Sequence, residues 1–167
     1  VLHLLDVASQ RALNRALADA ATEAGRHDRA LWHLSESVVG PDEAVAARMS
    51  DLAVAAMRRG SFPAAALAFE QSARLHTDQP AYWGRITMTG YAQYTAGDHY
   101  KVQATLSPVI ETIDEPVAKG RMAAVLGQAE IWVLGPVAAT PRFELHARAV
   151  RDLEPSLASI LLLCATG

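Results

Sequence analysis

Six histidines and one cysteine are the nitrogen- and sulfur-containing side chains of this sequence that could bind a metal ion. The two histidines closest in sequence, His27 and His33, are six residues apart, a spacing that places them on different faces of a helix. The sequence has no HExxH motif, and Cys164 has no cysteine or histidine cluster beside it. We therefore predict no metal site. A single cysteine also excludes a disulfide within the chain, and a reducing cytoplasm is the compartment that fits best.

The residue pattern does not support nucleophilic catalysis either. Cys164 is predicted to be a small buried hydrophobic residue. The serines lack the strand–turn–helix context of an activated nucleophile; those considered are Ser35, Ser37, Ser50 and Ser61. Most aspartates and glutamates fall on predicted helix surfaces or in first turns. The sequence therefore predicts no catalytic residue, and we do not expect an enzyme.

Three glycines mark a repeated unit that would position any binding residues. Gly25, Gly60 and Gly97 each separate two predicted helices, at intervals of 35 and 37 residues. Glycine there supplies the left-handed conformation that ends a helix. Aligning the glycines also aligns small and large residues of neighbouring helices, in the columns Ala30/Ala65/Val102, Leu34/Phe69/Leu106, Leu17/Leu52/Thr89 and Ala18/Ala53/Gly90. The intervals are close to the period of about 34 residues that defines tetratricopeptide repeats.

Composition and helix-breaking residues together predict an all-α fold. Hydrophobic residues make up 51% of the chain and aromatic residues only 6%, so alanine, leucine and valine dominate, a balance that favours closely packed helices. We predict helices over 8–24, 28–38, 43–59, 62–75, 81–96, 99–112, 117–134, 142–153 and 156–165. The predicted breaks include Gly135-Pro136 and Thr140-Pro141, and Ser61 is expected to cap the helix that follows it.

These elements predict one helical-repeat domain over residues 1–167. We expect antiparallel, tetratricopeptide-like hairpins near 8–38, 43–75, 81–112 and 117–153, with a partial helix at 156–165, stacked in a right-handed superhelix. The chain lacks an initiator methionine, and Ile160–Leu163 is continuously apolar. We therefore expect it to be a fragment of a longer polypeptide.

Such hairpins present the first helix of each pair along a concave surface, where we predict a binding site. Tyr91, Tyr94 and Trp132 matter most there, because aromatic side chains with a polar tip are common in pockets. The alternative is that Tyr91 and Tyr94 fill the packing between hairpins, and Trp83 is expected to anchor the core. The residues projected onto the concave line are Arg15, Asp19, Ser50, Val54, Met57, Arg58, Thr87, Tyr91, Tyr94 and Trp132.

The charge and hydropathy of the sequence argue against two kinds of partner, nucleic acids and membranes. The net charge is −3, and the 15 lysines and arginines are spread along the chain. Nucleic-acid binding needs clustered positive charge, so we predict no direct DNA or RNA contact by this segment. No apolar run reaches the roughly 20 residues of a membrane span, so no membrane partner is predicted.

Four segments resemble a known family: Arg11–Ala20 (RALNRALADA), Arg29–Leu34 (RALWHL), Gly40–Ala47 (GPDEAVAA) and Arg59–Leu75 (RGSFPAAALAFEQSARL). In this order they resemble the helical-repeat region of LuxR-type large ATP-binding transcriptional regulators. The resemblance covers about residues 10 to 135. It implies a signal-transduction ATPase upstream, tetratricopeptide-like repeats, and a helix-turn-helix downstream.

The resemblance implies that the repeats sense a small effector or a regulatory protein and help to gate ATP-dependent oligomerisation. This sequence has no GxxxxGK[ST] loop and no basic recognition helix after Leu153. No cofactor is therefore expected in this segment, and ATP is expected only in an upstream domain of the parent protein. Two other functions are left open: a free-standing adaptor that grips a peptide, and self-association through the apolar C-terminal helix.

Overall fold

Helices make up most of the computed structural model, which describes residues 6–166. The predicted all-α class is confirmed, and no strand occurs within these residues. The helices are α1 (Val7–Glu23), α2 (His27–Ser37), α3 (Glu43–Arg58), α4 (Phe62–Arg74), α5 (Gln79–Thr95), α6 (His99–Ile110), α7 (Pro116–Leu134), α8 (Pro136–Val150) and α9 (Pro155–Thr166).

Acidic side chains cap the N-termini of several of these helices. They accept hydrogen bonds from backbone N–H groups of the first turn, which otherwise lack a partner; the capping residues are Asp6, Asp42, Asp78, Asp98 and Glu115. The predicted cap by Ser61 is wrong in one respect. Ser61 occupies the N-cap position of α4, but its side chain makes no capping bond. Pro63, at the second position of the helix, has no N–H to offer.

The three glycine turns share one hydrogen-bond pattern. Gly25, Gly60 and Gly97 have φ angles of 69°, 74° and 83°, as their predicted role requires. In each turn the glycine N–H donates a hydrogen bond to the carbonyl of the residue three positions before it. The N–H of the residue after the glycine donates to the carbonyl five positions before that residue. This is the Schellman arrangement, which satisfies the last carbonyls of a helix. The three turns therefore join α1 to α2, α3 to α4 and α5 to α6 in the same way.

A small residue in the first helix faces a large residue in the second helix of a hairpin. A Cβ on Gly90 would lie 2.5 Å from Leu106 Cδ1, and a Cβ on Gly127 would lie 2.5 Å from Phe143 Cε1. Sixteen residues separate the members of each pair. Ala18/Leu34 and Ala53/Phe69 have the same separation, and both alanines are buried. The pairing therefore extends to the fourth hairpin, α7–α8.

The start of α8 differs from the prediction. The helix begins at Pro136 and runs through Pro141, so the predicted break at Thr140-Pro141 is wrong. Proline has no N–H, so Pro141 cannot make the helical backbone hydrogen bond to the Val137 carbonyl. Val137 is 86% exposed, so water can reach that part of the helix. The Thr140 hydroxyl also donates to the Pro136 carbonyl at 3.0 Å. The true break is at Gly135, where φ is 92°.

The buried side chains form three clusters that follow one another along the chain. The first lies mainly between α3 and α4 and includes Met49 and Phe69. The second joins α5, α6 and α7 around Leu106 and Leu126, and the third joins α8 and α9 around Phe143. Among the described residues, each helix packs mainly on its neighbours in sequence, with further contacts of α5 on α7 and α7 on α9.

A charged cleft lies between α7 and α8. Arg142 holds Glu130 in a bidentate ion pair, with Nε–Oε2 and Nη2–Oε1 distances of 2.8 and 2.7 Å, and Glu130 is 8% exposed. His146 lines the same cleft and is buried. Burial lowers the pKa of His146, and the positive charges of Arg142 and Lys119 lower it further, against the opposing effect of Glu111. The pKa of His146 in the folded protein is therefore below its ordinary value.

Acidification is expected to destabilise the protein through His146. At a pH just below its ordinary pKa of 6.5, the unfolded chain binds more protons at this residue than the folded chain does. The free energy of unfolding should therefore fall as the pH drops through 6.5, by at most about 1.4 kcal/mol per pH unit. Urea unfolding at pH 7.5, 6.5 and 5.5 measures this slope. His146→Gln should flatten it, whereas His27→Gln at an exposed position should not; equal slopes in the two variants would contradict the assignment.

Candidate functional site

The facing sides of α5 and α7 form a groove, named here the α5/α7 groove. On α5, Thr87, Tyr91 and Tyr94 lie on one face, because residues three and four apart are neighbours on a helix. A cavity joins the beginnings of both helices, and a side-chain hydrogen bond joins α5 to α7 about three turns later. The two helices therefore run in the same direction along the groove.

At the beginning of the groove lies a cavity of about 430 Å³. Its walls are mostly apolar; the residues are Pro80, Trp83, Gly84, Thr87, Met88, Glu115, Ala118 and Arg121. The indole Nε1 of Trp83 is buried without a hydrogen-bond partner within residues 6–166. A buried donor in this state costs free energy, and it does not face the accessible space of the cavity. Trp83 also packs against the second cluster, as predicted for a core residue.

Most other polar groups around this cavity are already bonded. The Thr87 hydroxyl donates to the Trp83 carbonyl at 2.7 Å. The Glu115 carboxylate accepts from the backbone N–H groups of Val117 and Ala118. Arg121 pairs with Glu154 at 2.9 Å, but its side chain is 61% exposed and retains further donors. The cavity therefore presents the donors of Arg121 beside the carboxylate of Glu115.

Further along the groove, three rings contact one another in sequence. The Tyr94 and His99 ring centroids are 5.3 Å apart, and His99 lies parallel to Trp132, with a centroid distance of 5.3 Å and an interplanar angle of 7°. Trp132 is 69% exposed, so one face of this ring cluster is open to solvent. Nδ1 of His99 is buried and unpartnered within residues 6–166. These rings offer a planar surface on which a ligand ring or apolar face can stack.

A polar connection runs from this cluster to α9. The Tyr94 hydroxyl donates to Gln128 Oε1 at 3.3 Å, and Gln128 Nε2 donates to Cys164 Sγ at 2.9 Å. Cys164 is half-buried rather than fully buried, and it packs against the third cluster. These contacts fix the orientation of Tyr94, so the ring cluster is held in place by side chains from three helices.

The structure brings together four of the predicted binding residues and separates the others from them. Thr87, Tyr91, Tyr94 and Trp132 all lie along the α5/α7 groove, and Tyr91 is 44% exposed. Tyr94 also packs against the second cluster.

The predicted residues on α1 and α3 lie elsewhere. Arg15, Asp19 and Arg58 are exposed, Val54 is 36% exposed, and α1 has no substantial contact with α5 or α7. Ser50 shares a hydrogen bond of 2.8 Å with Ser72, and Met57 packs against the first cluster.

Sequence reasoning missed His99, Gln128 and Arg121. His99 is placed by the turn at Gly97, which sets the first residue of α6 against the end of α5. Its only linear signal is its position between Tyr94 and Tyr100 in an aromatic-poor chain. Gln128 and Arg121 lie on α7 within seven residues, a spacing that places them on one helix face.

Within residues 6–166, no group of three or more histidine, cysteine, aspartate and glutamate side chains is placed to hold a metal ion. None of the helices in this part of the chain is both long and apolar enough to cross a membrane.

The α5/α7 groove suits a ligand with a planar or apolar body and an acceptor oxygen. No protein-family model, curated protein or solved structure matches this chain.

Proposed function

We propose that this chain is the sensor repeat region of a LuxR-like ATP-dependent transcriptional regulator, and that it binds a small effector in the α5/α7 groove. The effector would place an acceptor oxygen near Arg121 and stack a ring or apolar face near Trp132. ATP hydrolysis and promoter binding would be carried out by other domains of the parent protein. The order of the four resembling segments and the repeated glycine turns support this context.

The observation that carries the binding proposal is the combination of features in one groove. A mostly apolar cavity lined by Arg121 lies between α5 and α7, and the exposed ring cluster farther along the groove joins these two helices through His99 of α6. Ligand sites are typically apolar concavities with few polar groups that set orientation. An adaptor that grips a peptide could use the same surface, and it is the second candidate because the groove is open to solvent at Trp132.

Loss of the exposed aromatic rings is expected to abolish effector binding. A library of ring-containing metabolites with acceptor oxygens can be screened by tryptophan fluorescence, since Trp83 and Trp132 both line the groove. For a compound that binds, Trp132→Ala should weaken affinity at least about tenfold, and Tyr91→Ala combined with Trp132→Ala should abolish binding in calorimetry. The helical circular dichroism should be unchanged. Tyr100→Ala, at an exposed tyrosine of α6, is the control; equal affinity in all variants would contradict the site.

The coding DNA on both sides of this segment tests the regulatory context. A phosphate-loop ATPase upstream and a helix-turn-helix downstream would support a sensor within a transcriptional regulator. A stop codon soon after Gly167 with no ATPase upstream would instead favour the adaptor. Peptide capture by the α5/α7 groove would then be the next measurement.

A further inference from the structure

The charged cleft between α7 and α8 is separate from the α5/α7 groove. Its volume is about 390 Å³. Lys119, Glu130 and Leu134 line the cleft from α7, and the helical spacing places them on the side of α7 opposite Arg121 and Trp132, which face the groove. A ligand bound in the cleft therefore does not depend on the function proposed for the groove.

Two cationic side chains flank His146 in this cleft. α7 and α8 are the antiparallel helices of one hairpin, and a Cβ on Gly120 would touch the Val150 side chain. Lys119, next to Gly120, therefore lies beyond His146 toward the end of α8. Arg142 lies about one turn before His146 on α8. The three side chains line the same cleft, with the imidazole between the two cations.

Each of these three side chains has a donor that a ligand can use. Arg142 binds Glu130 through Nε and Nη2, which leaves Nη1 without a partner in the described part of the chain. Lys119 Nζ is 4.0 Å from Glu111 Oε2, which is beyond hydrogen-bond distance. The ring nitrogens of His146 bond to no group within residues 6–166, and they are not closed off from the cleft.

The charges around His146 favour an anion over a cation. Arg142 already binds the Glu130 carboxylate, and the Glu111 side chain is 75% exposed, so its charge is screened by water. Burial is the first cause of the lowered pKa of His146, and the charges of Arg142 and Lys119 add to it and together outweigh Glu111. The cleft therefore presents a net positive charge to this ring, which a bound carboxylate would compensate.

The rest of the cleft is apolar. Leu134 and Leu145 are 61% and 64% exposed, and they line the cleft together with Ala138 and Pro141. Covering exposed leucine side chains with a hydrocarbon chain removes apolar surface from water, which is favourable. The cleft therefore suits a ligand with an anionic group at one end and an apolar chain at the other.

We propose that this cleft binds a small aliphatic carboxylate, which accepts hydrogen bonds from Arg142 Nη1 and the His146 ring and pairs with Lys119. Its hydrocarbon chain lies over Leu134 and Leu145. The volume of the cleft is within the range of small-molecule sites and suits a chain of a few carbon atoms. A carboxylate beside the imidazole favours its charged form, so the pKa of His146 rises in the complex.

Titration of the protein with sodium hexanoate at neutral pH and constant ionic strength, followed by NMR, tests this proposal. We expect saturable shifts of the Leu145 and His146 backbone amides, with a Kd on the order of 1 mM. The pKa of His146, measured from its ring resonances, should rise in saturating hexanoate, whereas the ring resonances of exposed His27 should not follow the titration. n-Hexanol and n-hexylamine hydrochloride, which share the chain, are the probe controls. Absence of saturable shifts, equal shifts with n-hexanol, or an unchanged pKa of His146 would overturn the proposal.

Two pairs of variants test the charged and the apolar parts of the cleft. Lys119→Met removes the charge and should weaken hexanoate binding about three- to tenfold, whereas Lys101→Met on α6, whose side chain is 69% exposed, should leave it unchanged. Leu145→Ala should weaken binding about threefold, and Leu67→Ala, at an exposed leucine of α4, is its control. Affinity that is equal in Lys119→Met and Lys101→Met would refute the pairing with Lys119 and with it the proposed carboxylate site.

Discussion

Gly127→Ala is expected to destabilise the protein by about 1–3 kcal/mol, although alanine is the better helix former. The new Cβ would lie 2.5 Å from Cε1 and 2.6 Å from Cζ of Phe143, and that ring is fully buried. A rigid ring in a closely packed interior cannot move away without displacing its neighbours in the third cluster. Urea unfolding followed by circular dichroism measures the change.

Gly84→Ala is the matched control for this prediction. Gly84 also lies within a helix, but a Cβ there would meet no atom within 4 Å. The control should therefore stabilise the protein by up to about 1 kcal/mol through helix propensity alone. In a Phe143→Leu background, Gly127→Ala should cost less than it does alone, because the two residues are in contact. Stabilisation by Gly127→Ala equal to that by Gly84→Ala would show that the contact is not restrictive.

Arg142→Met is expected to lower the free energy of unfolding by about 3 kcal/mol. It leaves Glu130 without a partner, and the Glu130 side chain is only 10% exposed. An uncompensated buried carboxylate must either remain charged in an unfavourable environment or take up a proton. Urea unfolding at neutral pH measures this loss.

Replacing both partners separates the cost of an orphaned charge from the value of the ion pair. Glu130→Leu combined with Arg142→Met should recover most of the stability, because no buried charge remains. Arg148→Met breaks the Arg148–Glu144 pair on the same helix, whose side chains are 77% and 46% exposed, and should cost less than about 1 kcal/mol. If Arg142→Met costs no more than Arg148→Met, the Glu130–Arg142 pair contributes nothing beyond a surface pair.

The sequence predicted the parts of the fold that depend on local geometry. The turns at Gly25, Gly60 and Gly97 could be predicted because only a left-handed residue closes a Schellman turn. The fourth hairpin was harder to align because Gly135 is followed directly by Pro136, with no comparable turn. The alignment of its two helices is set instead by the contact of Gly127 with Phe143. This contact depends on packing between the helices rather than on any local signal.

The candidate site was predicted only in part, for a similar reason. Tyr94 and Trp132 could be identified because large aromatic residues are rare in this chain and lie on first helices of the hairpins. The ring of His99 that joins them belongs to a second helix, and only the tertiary structure places it between them. The projection of Arg15 onto the same line assumed continuous contact between first helices, and α1 has no substantial contact with α5 or α7.

The division of the interior into three clusters in chain order has a consequence for cooperativity. Each cluster shares helices only with the next, so a segment can open while the rest keeps its own buried contacts. Amide hydrogens should therefore exchange with solvent in blocks, each reporting the stability of one segment rather than of the whole chain. A destabilising substitution at Phe143 would cause α8 and α9 to open first. The amides of α3 and α4 would keep their protection against exchange.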